Sequence, residues 1–163
     1  MAYLLDTNIF IESKDRLPMD IYPTFWARMR ELVTSGQVFS IEKVKEEIFR
    51  GGRDDELRAW VETIPDSFFL PITAKEYSKY AQAISWANSS RQYSASAKSV
   101  FASVDIADAF LIATASANDL SLVTFEVAAP NSQRNIKIPD AARAMNVRCC
   151  VLNDMLRELH VEI

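Results

Sequence analysis

Short apolar runs of strand length alternate with stretches of helical periodicity along the whole chain, and that alternation constrains the fold more than any other feature. Residues 3–5, 37–40, 68–71, 120–124 and 147–152 read as five strands. Helical spacing fills the intervals. Phe25, Met29, Leu32 and Val33 share one side of residues 21–34, and Leu57, Trp60, Val61 and Ile64 share one side of residues 54–64. A helix over 41–50 stops at Gly51-Gly52, where a left-handed cap is easy. Thr73-Ala74-Lys75-Glu76 is a capping box opening a helix to about Trp86. A strongly apolar helix follows over 103–118. Pro139 starts a short helix to Met145, and Asn153 caps a last one. Residues 88–99, rich in Ser, Ala and Asn, read as a mobile loop. Strands that are apolar without alternation belong to a parallel sheet covered on both faces. The expectation is an α/β chain, a three-layer α/β/α fold around a central parallel sheet of about five strands. With no repeat and no proline- or glycine-rich linker, residues 1–163 form a single domain.

The residue inventory removes several classes of chemistry. The one histidine, His160, sits on a terminal helix, whereas Ser-His-Asp, Cys-His and His-rich zinc sites need a positioned imidazole. Three glycines form neither a Gly-x-x-x-x-Gly-Lys loop nor a Gly-x-Gly-x-x-Gly turn. No apolar run approaches the roughly 20 residues of a membrane helix, so no membrane association is expected. Met1-Ala2-Tyr3-Leu4-Leu5-Asp6 lacks the basic and small-residue pattern of a secretory signal. Cys149 and Cys150 are adjacent, cannot build a framework of bridges, and read as packing residues in a buried strand. A reduced, cytoplasmic setting is the expectation. The net charge of −4 argues against a surface coated in basic residues. Any nucleic-acid contact is therefore local, from Arg50, Arg53 or Lys98.

In a parallel sheet, ligands collect beyond the carboxyl ends of the strands, and four acidic positions point there. Asp6 follows the first strand directly and Glu126 follows the fourth. The third position lies on the helix over 41–50, whose buried face is set by Ile41, Val44 and Ile48. At about 100° per residue, Glu47 lies roughly 90° from the centre of that face and Glu46 roughly 170° away. Glu47 is the candidate and Glu46 faces solvent. Asp108 is set in an apolar stripe with Val104, Leu111, Ile112 and Ala115, and no Lys or Arg lies within helical reach on that face. An unpaired buried charge costs several kcal/mol and calls for a proton, a cation or a metal. Four carboxylates from four segments repel one another unless something positive sits among them. Mg²⁺ or Mn²⁺ fits, being a hard cation that takes oxygen ligands and activates water for attack on phosphorus.

The same residues resemble a known family. Asp6-Thr7-Asn8-Ile9-Phe10 after a short strand looks like the opening of PIN domains, the fold of VapC-like toxin ribonucleases. Glu47-Ile48 is similar to that family's second acidic position, and the run from Asp108 to Ala115 to its third-acid helix. Leu122-Val123-Thr124-Phe125-Glu126 resembles its strand ending in Thr-x-Asp. The likeness extends from residue 3 to about 152. Glu126 in place of the usual Asp, the tail Asn135-Ile136-Lys137-Ile138-Pro139-Asp140, and the length between Trp60 and Ser103 fit a poorly characterised PIN-like subgroup. The resemblance implies the PIN sheet, a Mg²⁺ or Mn²⁺ site formed by Asp6, Glu47, Asp108 and Glu126, and endoribonuclease activity on RNA. It further implies the toxin of a toxin–antitoxin pair, a cognate antitoxin protein occluding the acidic pocket, and a homodimer, since dimers are common among relatives.

Simpler roles stand beside these. Asp6 also suits a helix cap, Asp108 suits a helix N-terminus, and Glu47 and Glu126 taken singly suit a solvated surface. Asn8 and Thr124 either reach a bound water or phosphate, or only fix local turns. Trp26, Trp60 and Trp86 fall on helix faces that suit core packing better than base stacking. Two rival functions follow: a catalytically silent PIN-like binding module, and an aspartyl-nucleophile phosphatase. The second ordinarily wants an Asp where this chain has Asn8.

Overall fold

The computed structural model describes residues 1–51 and 55–163. Arg53, Gly52 and the predicted helix start at Asp54 lie outside the described residues. Strands β1 (Tyr3–Leu5), β2 (Val38–Ile41), β3 (Phe69–Leu70), β4 (Ser121–Val123) and β5 (Cys149–Cys150) form one sheet in the order β3-β2-β1-β4-β5. Every pairing is parallel, with Tyr3 opposite Val38, Leu4 opposite Leu122, and Leu122 opposite Cys149. Helices α1 (Thr7–Arg16), α2 (Pro23–Thr34), α3 (Glu42–Gly51), α4 (Asp55–Glu62), α5 (Ala74–Ser89), α6 (Ala95–Phe101), α7 (Asp108–Asn118), α8 (Ile138–Ala144) and α9 (Leu152–Glu158) cover it. The result is a three-layer α/β/α domain with a central parallel sheet, as the alternation predicts.

Central strands in such a sheet are buried on both sides, which is why they read as unbroken apolar runs. Leu4, Leu5 and Val123 are completely buried. Each is worth about 1.5–3 kcal/mol relative to exposure. Trp26 and Trp60 meet edge to face with ring centroids 5.1 Å apart in the core, as their helical spacing implies. Trp86 is half-buried and packs against Tyr93 and Phe101.

From β1 the chain winds outward through β2 to β3, then returns to place β4 on the other side of β1. The strand order therefore reverses between β1 and β4, and their carboxyl ends flank the crevice where doubly wound sheets bind ligands.

Several boundaries depart from expectation. The stretch read as a mobile loop contains α6, because Ser94 caps it by accepting from the Ala97 N–H at 3.1 Å while Ala97 and Phe101 are buried. Tertiary burial overrides the polar composition there. Helix α7 begins at Asp108 rather than Ser103, so Val104 lies outside the helix and is exposed. The first helix after β1 is α1, and α2 begins only at Pro23. Strand β5 has two residues instead of six, and as an edge strand it leaves both cysteines half-buried. Asn153 lies inside α9, whose cap position is Val151. Among the described residues, no helix is long and apolar enough to cross a membrane.

Candidate active site

Asp6 is the hinge between β1 and α1. Its backbone N–H continues the sheet to the Val123 carbonyl at 3.0 Å, and its carboxylate caps α1 by accepting from the Thr7 N–H at 2.6 Å. The other carboxylate oxygen accepts from the Thr124 hydroxyl at 2.8 Å. Asp6 is thus a helix cap, one of the simpler roles, and is also 96 % withdrawn from solvent as a charged group with 4 % exposure.

Thr124 and Asn8 stitch the two sides of the crevice together. Thr124 Oγ1 accepts from the Glu126 N–H at 3.1 Å and from Asn8 Nδ2 at 3.4 Å, while Asn8 Oδ1 accepts from the Phe125 N–H at 3.2 Å. Both side chains therefore hold turns between β1 and β4.

Glu47 is half-buried and Glu46 is exposed, as helical geometry indicates. Glu47 spans two elements: Oε2 accepts from the Thr7 hydroxyl and Oε1 from the Ala107 N–H, each at 2.6 Å. That second bond accounts for the late start of α7, since the Ala107 N–H is spent on Glu47. Glu126 reaches the opposite way, its Oε2 accepting from the Ile138 N–H at 2.7 Å at the first turn of α8.

Asp108 stands at the first position of α7, half-buried, where the helix dipole favours its charge. Among the described residues no hydrogen-bond donor meets its carboxylate. Burial, then the charges of Asp6, Glu126 and Glu47, push it from the ordinary 3.8 up to about 8, with the Lys137 charge opposing. Burial also pushes Asp6 up to about 7; the Thr124 hydroxyl and Thr7 N–H oppose this, and Glu126 and Glu47 add to it. The structure therefore brings Asp6, Glu47, Asp108 and Glu126 into one electrostatic unit at the β1–β4 crevice.

An all-oxygen donor set with this much uncompensated negative charge suits Mg²⁺ or Mn²⁺. Among the described residues, however, no three acidic, Cys or His side chains stand at the spacing of a ready-made metal cage. The reason is visible in the bonding: Glu47 and Glu126 are turned toward protein donors, whereas Asp108 faces open space. The residues fit such an ion in type and charge, with those two side chains needing to turn.

Of the basic candidates, Arg50 donates to the Asp105 carbonyl at 2.9 Å and lines an open cleft with Glu47 and Asp108, while Lys98 donates to the Asn88 carbonyl at 3.1 Å. Sequence reasoning gave no role to Thr7, Arg134 or Lys137, although all three border the acids. Thr7 lies inside the Asp-Thr-Asn triplet, but its partner Glu47 is 40 residues away, and no local pattern announces that pairing. No curated protein matches the chain. The family model described as a domain of unknown function, DUF4411, matches residues 3–163, and the chain belongs to that family.

Proposed function

We propose that this domain is a PIN-like, metal-dependent endoribonuclease that hydrolyses RNA phosphodiester bonds with Asp6, Glu47, Asp108 and Glu126. One observation carries the reading: a buried Asp6 and a half-buried Asp108 stand beside two further carboxylates at the sheet's switch point, with values raised to about 7 and about 8. A fold retains such mutually repelling groups at a crevice when a cation belongs among them. When bound, Mg²⁺ or Mn²⁺ would supply the positive charge that acidifies a water and steadies the leaving oxygen. The protein's part is positional. Thr124 and the Thr7 N–H fix the Asp6 carboxylate, the helix dipole supports Asp108, and Thr7 with Ala107 holds Glu47 against α7. Water adds to phosphorus, and the 3′ oxygen leaves with a proton, giving 5′-phosphate and 3′-hydroxyl ends.

The test is incubation of purified protein with total RNA and Mn²⁺ or Mg²⁺, beside Asp108→Asn and Asp6→Ala. Discrete fragments from the wild type alone support the reading; cleavage that survives Asp6→Ala or excess EDTA refutes it. Within this reading the chain is the toxin of a toxin–antitoxin pair. A small partner protein should then co-purify and be lost when Glu126 and its surroundings are altered.

A second reading has its own support. Glu47 and Glu126 each bond to backbone N–H groups and hold elements together, which suits a PIN-like binding module in which the acids are structural. Calorimetry separates the two: no Mn²⁺ binding by the wild type favours the module. The phosphatase alternative loses ground because both Asp6 oxygens are occupied by Thr7 and Thr124.

A further inference from the structure

The acid centre opens into a cleft of about 120 Å³ on the side away from α3. Its walls are Val100 and Phe101 of α6, Asp108, Glu126, and two cationic residues of the segment between β4 and α8, Arg134 and Lys137. A second, open cleft on the other side of Asp108 is lined by Glu47, Arg50 and Asp105. Val100 and Asp108 border both, so the acid centre has this groove on one side and the open cleft on the other.

The segment carrying the two cations is held in place. Gln92 donates through Nε2 to the Pro130 and Ser132 carbonyls at 2.7 and 2.6 Å, and the Ser94 N–H donates to the Gln133 carbonyl at 2.8 Å. The Ala129 N–H donates to Asp140 at 2.8 Å. Ile136 and Ile138 are buried on either side of Lys137, whose backbone caps α8. Lys137 is itself half-buried, and its charge acts on Asp108. Among the described residues neither Arg134 nor Lys137 forms an ion pair within 4.0 Å. Two cations without anionic partners, a half-buried Lys137 and an exposed Arg134 on an anchored backbone, thus border a strongly acidic centre, in a protein whose net charge of −4 repels polyanions.

We infer that Lys137 and Arg134 form the phosphate-binding wall of this groove, engaging the sugar–phosphate backbone of a single strand beside the acid centre. The inference rests on the nuclease reading for its location and adds the residues that hold the strand. A phosphodiester approaching four carboxylates needs local positive charge, and this wall carries the Lys137 charge that acts on Asp108. The contact is to phosphate oxygens, so it reads neither base nor sugar.

The test measures anisotropy of a labelled uridine oligoribonucleotide and its deoxy counterpart over a salt series, with Ca²⁺ replacing Mg²⁺. Lys137→Met and Arg134→Gln should each weaken binding several-fold, equally for RNA and DNA, and lower the salt slope by about 0.7. Lys137→Arg should stay near wild type, which separates charge from folding. Lys75→Met, an exposed cation in the first turn of α5 that lines neither cleft, is the control and should change nothing. Wild type that binds neither oligonucleotide, or Lys137→Met with an unchanged slope, overturns the inference. So does an equal effect from Lys75→Met. A Lys137-dependent strand contact without Mn²⁺-dependent cleavage leaves the wall standing and removes the nuclease reading. Cleavage that depends on Asp108 but shows an unchanged KM in Lys137→Met does the reverse.

Discussion

Replacing Asp108 with Asn in the metal-free protein should stabilise the fold at neutral pH and do nothing at acid pH. In the folded chain Asp108 and Asp6 are raised from 3.8 to about 8 and about 7. Between the ordinary value and those raised values, the folded state keeps protons that the unfolded chain has released. Stability from these groups is therefore fully present below about pH 4 and declines as pH rises toward 7 and 8. Each group contributes a slope of about 1.4 kcal/mol per pH unit across that window. At about pH 7 the Asp108 contribution alone amounts to about 4 kcal/mol, and half of that is a reasonable floor given its partial exposure. For a domain of this size, 2 kcal/mol corresponds to roughly 4–8 °C. Thermal melts in EDTA from about pH 4.5 to about pH 7.5 should show wild type losing Tm at nearly twice the rate of Asp108→Asn. The variant's advantage should open progressively with pH. Adding Mn²⁺ should raise the wild-type Tm, by about 2.7 kcal/mol equivalent at a hundred times Kd, and leave the variant nearly unmoved. A variant no more stable than wild type at about pH 7.5 in EDTA would refute the electrostatic argument, whatever its activity.

Three further outcomes follow from individual contacts. Thr7→Val keeps shape but removes the hydroxyl bonded to Glu47, and should cost about 1.5–3 kcal/mol in urea unfolding. Glu126→Ala should cost about 1 kcal/mol by freeing the Ile138 N–H, whereas Glu126→Gln should retain most of that while losing Mn²⁺ affinity by calorimetry. Cys149 is pushed up to about 12 by burial and by the charges of Cys150 and Asp6, so native protein near pH 8 should leave it unalkylated by iodoacetamide, as peptide mapping would show.

The layered fold and its parallel sheet were legible because buried strands and amphipathic helices leave periodic marks on the chain. Asp6 could be placed from its position after β1, and Glu47 preferred to Glu46, by one-dimensional geometry alone. What stayed hidden depends on partners distant in sequence. The start of α7 is set by Glu47, 60 residues earlier, taking the Ala107 N–H. Helix α6 exists because Ala97 and Phe101 are buried, despite a composition that reads as loop. Lys137 had no visible role because its field acts on Asp108, across the crevice, rather than on a neighbour along the chain.

The order β3-β2-β1-β4-β5 also bears on how the protein comes into being. Asp6 is anchored by Thr124, 118 residues later, and Glu126 is fixed through Ile138. A nascent chain that has emerged only through α7 possesses Asp6, Glu47 and Asp108 but lacks the strand that completes the crevice. Its β1 still has an open edge where β4 will pair. The four-carboxylate centre is therefore a late product of synthesis, since amino-terminal fragments ending before β4 lack both Thr124 and Glu126 however much of the sheet they build.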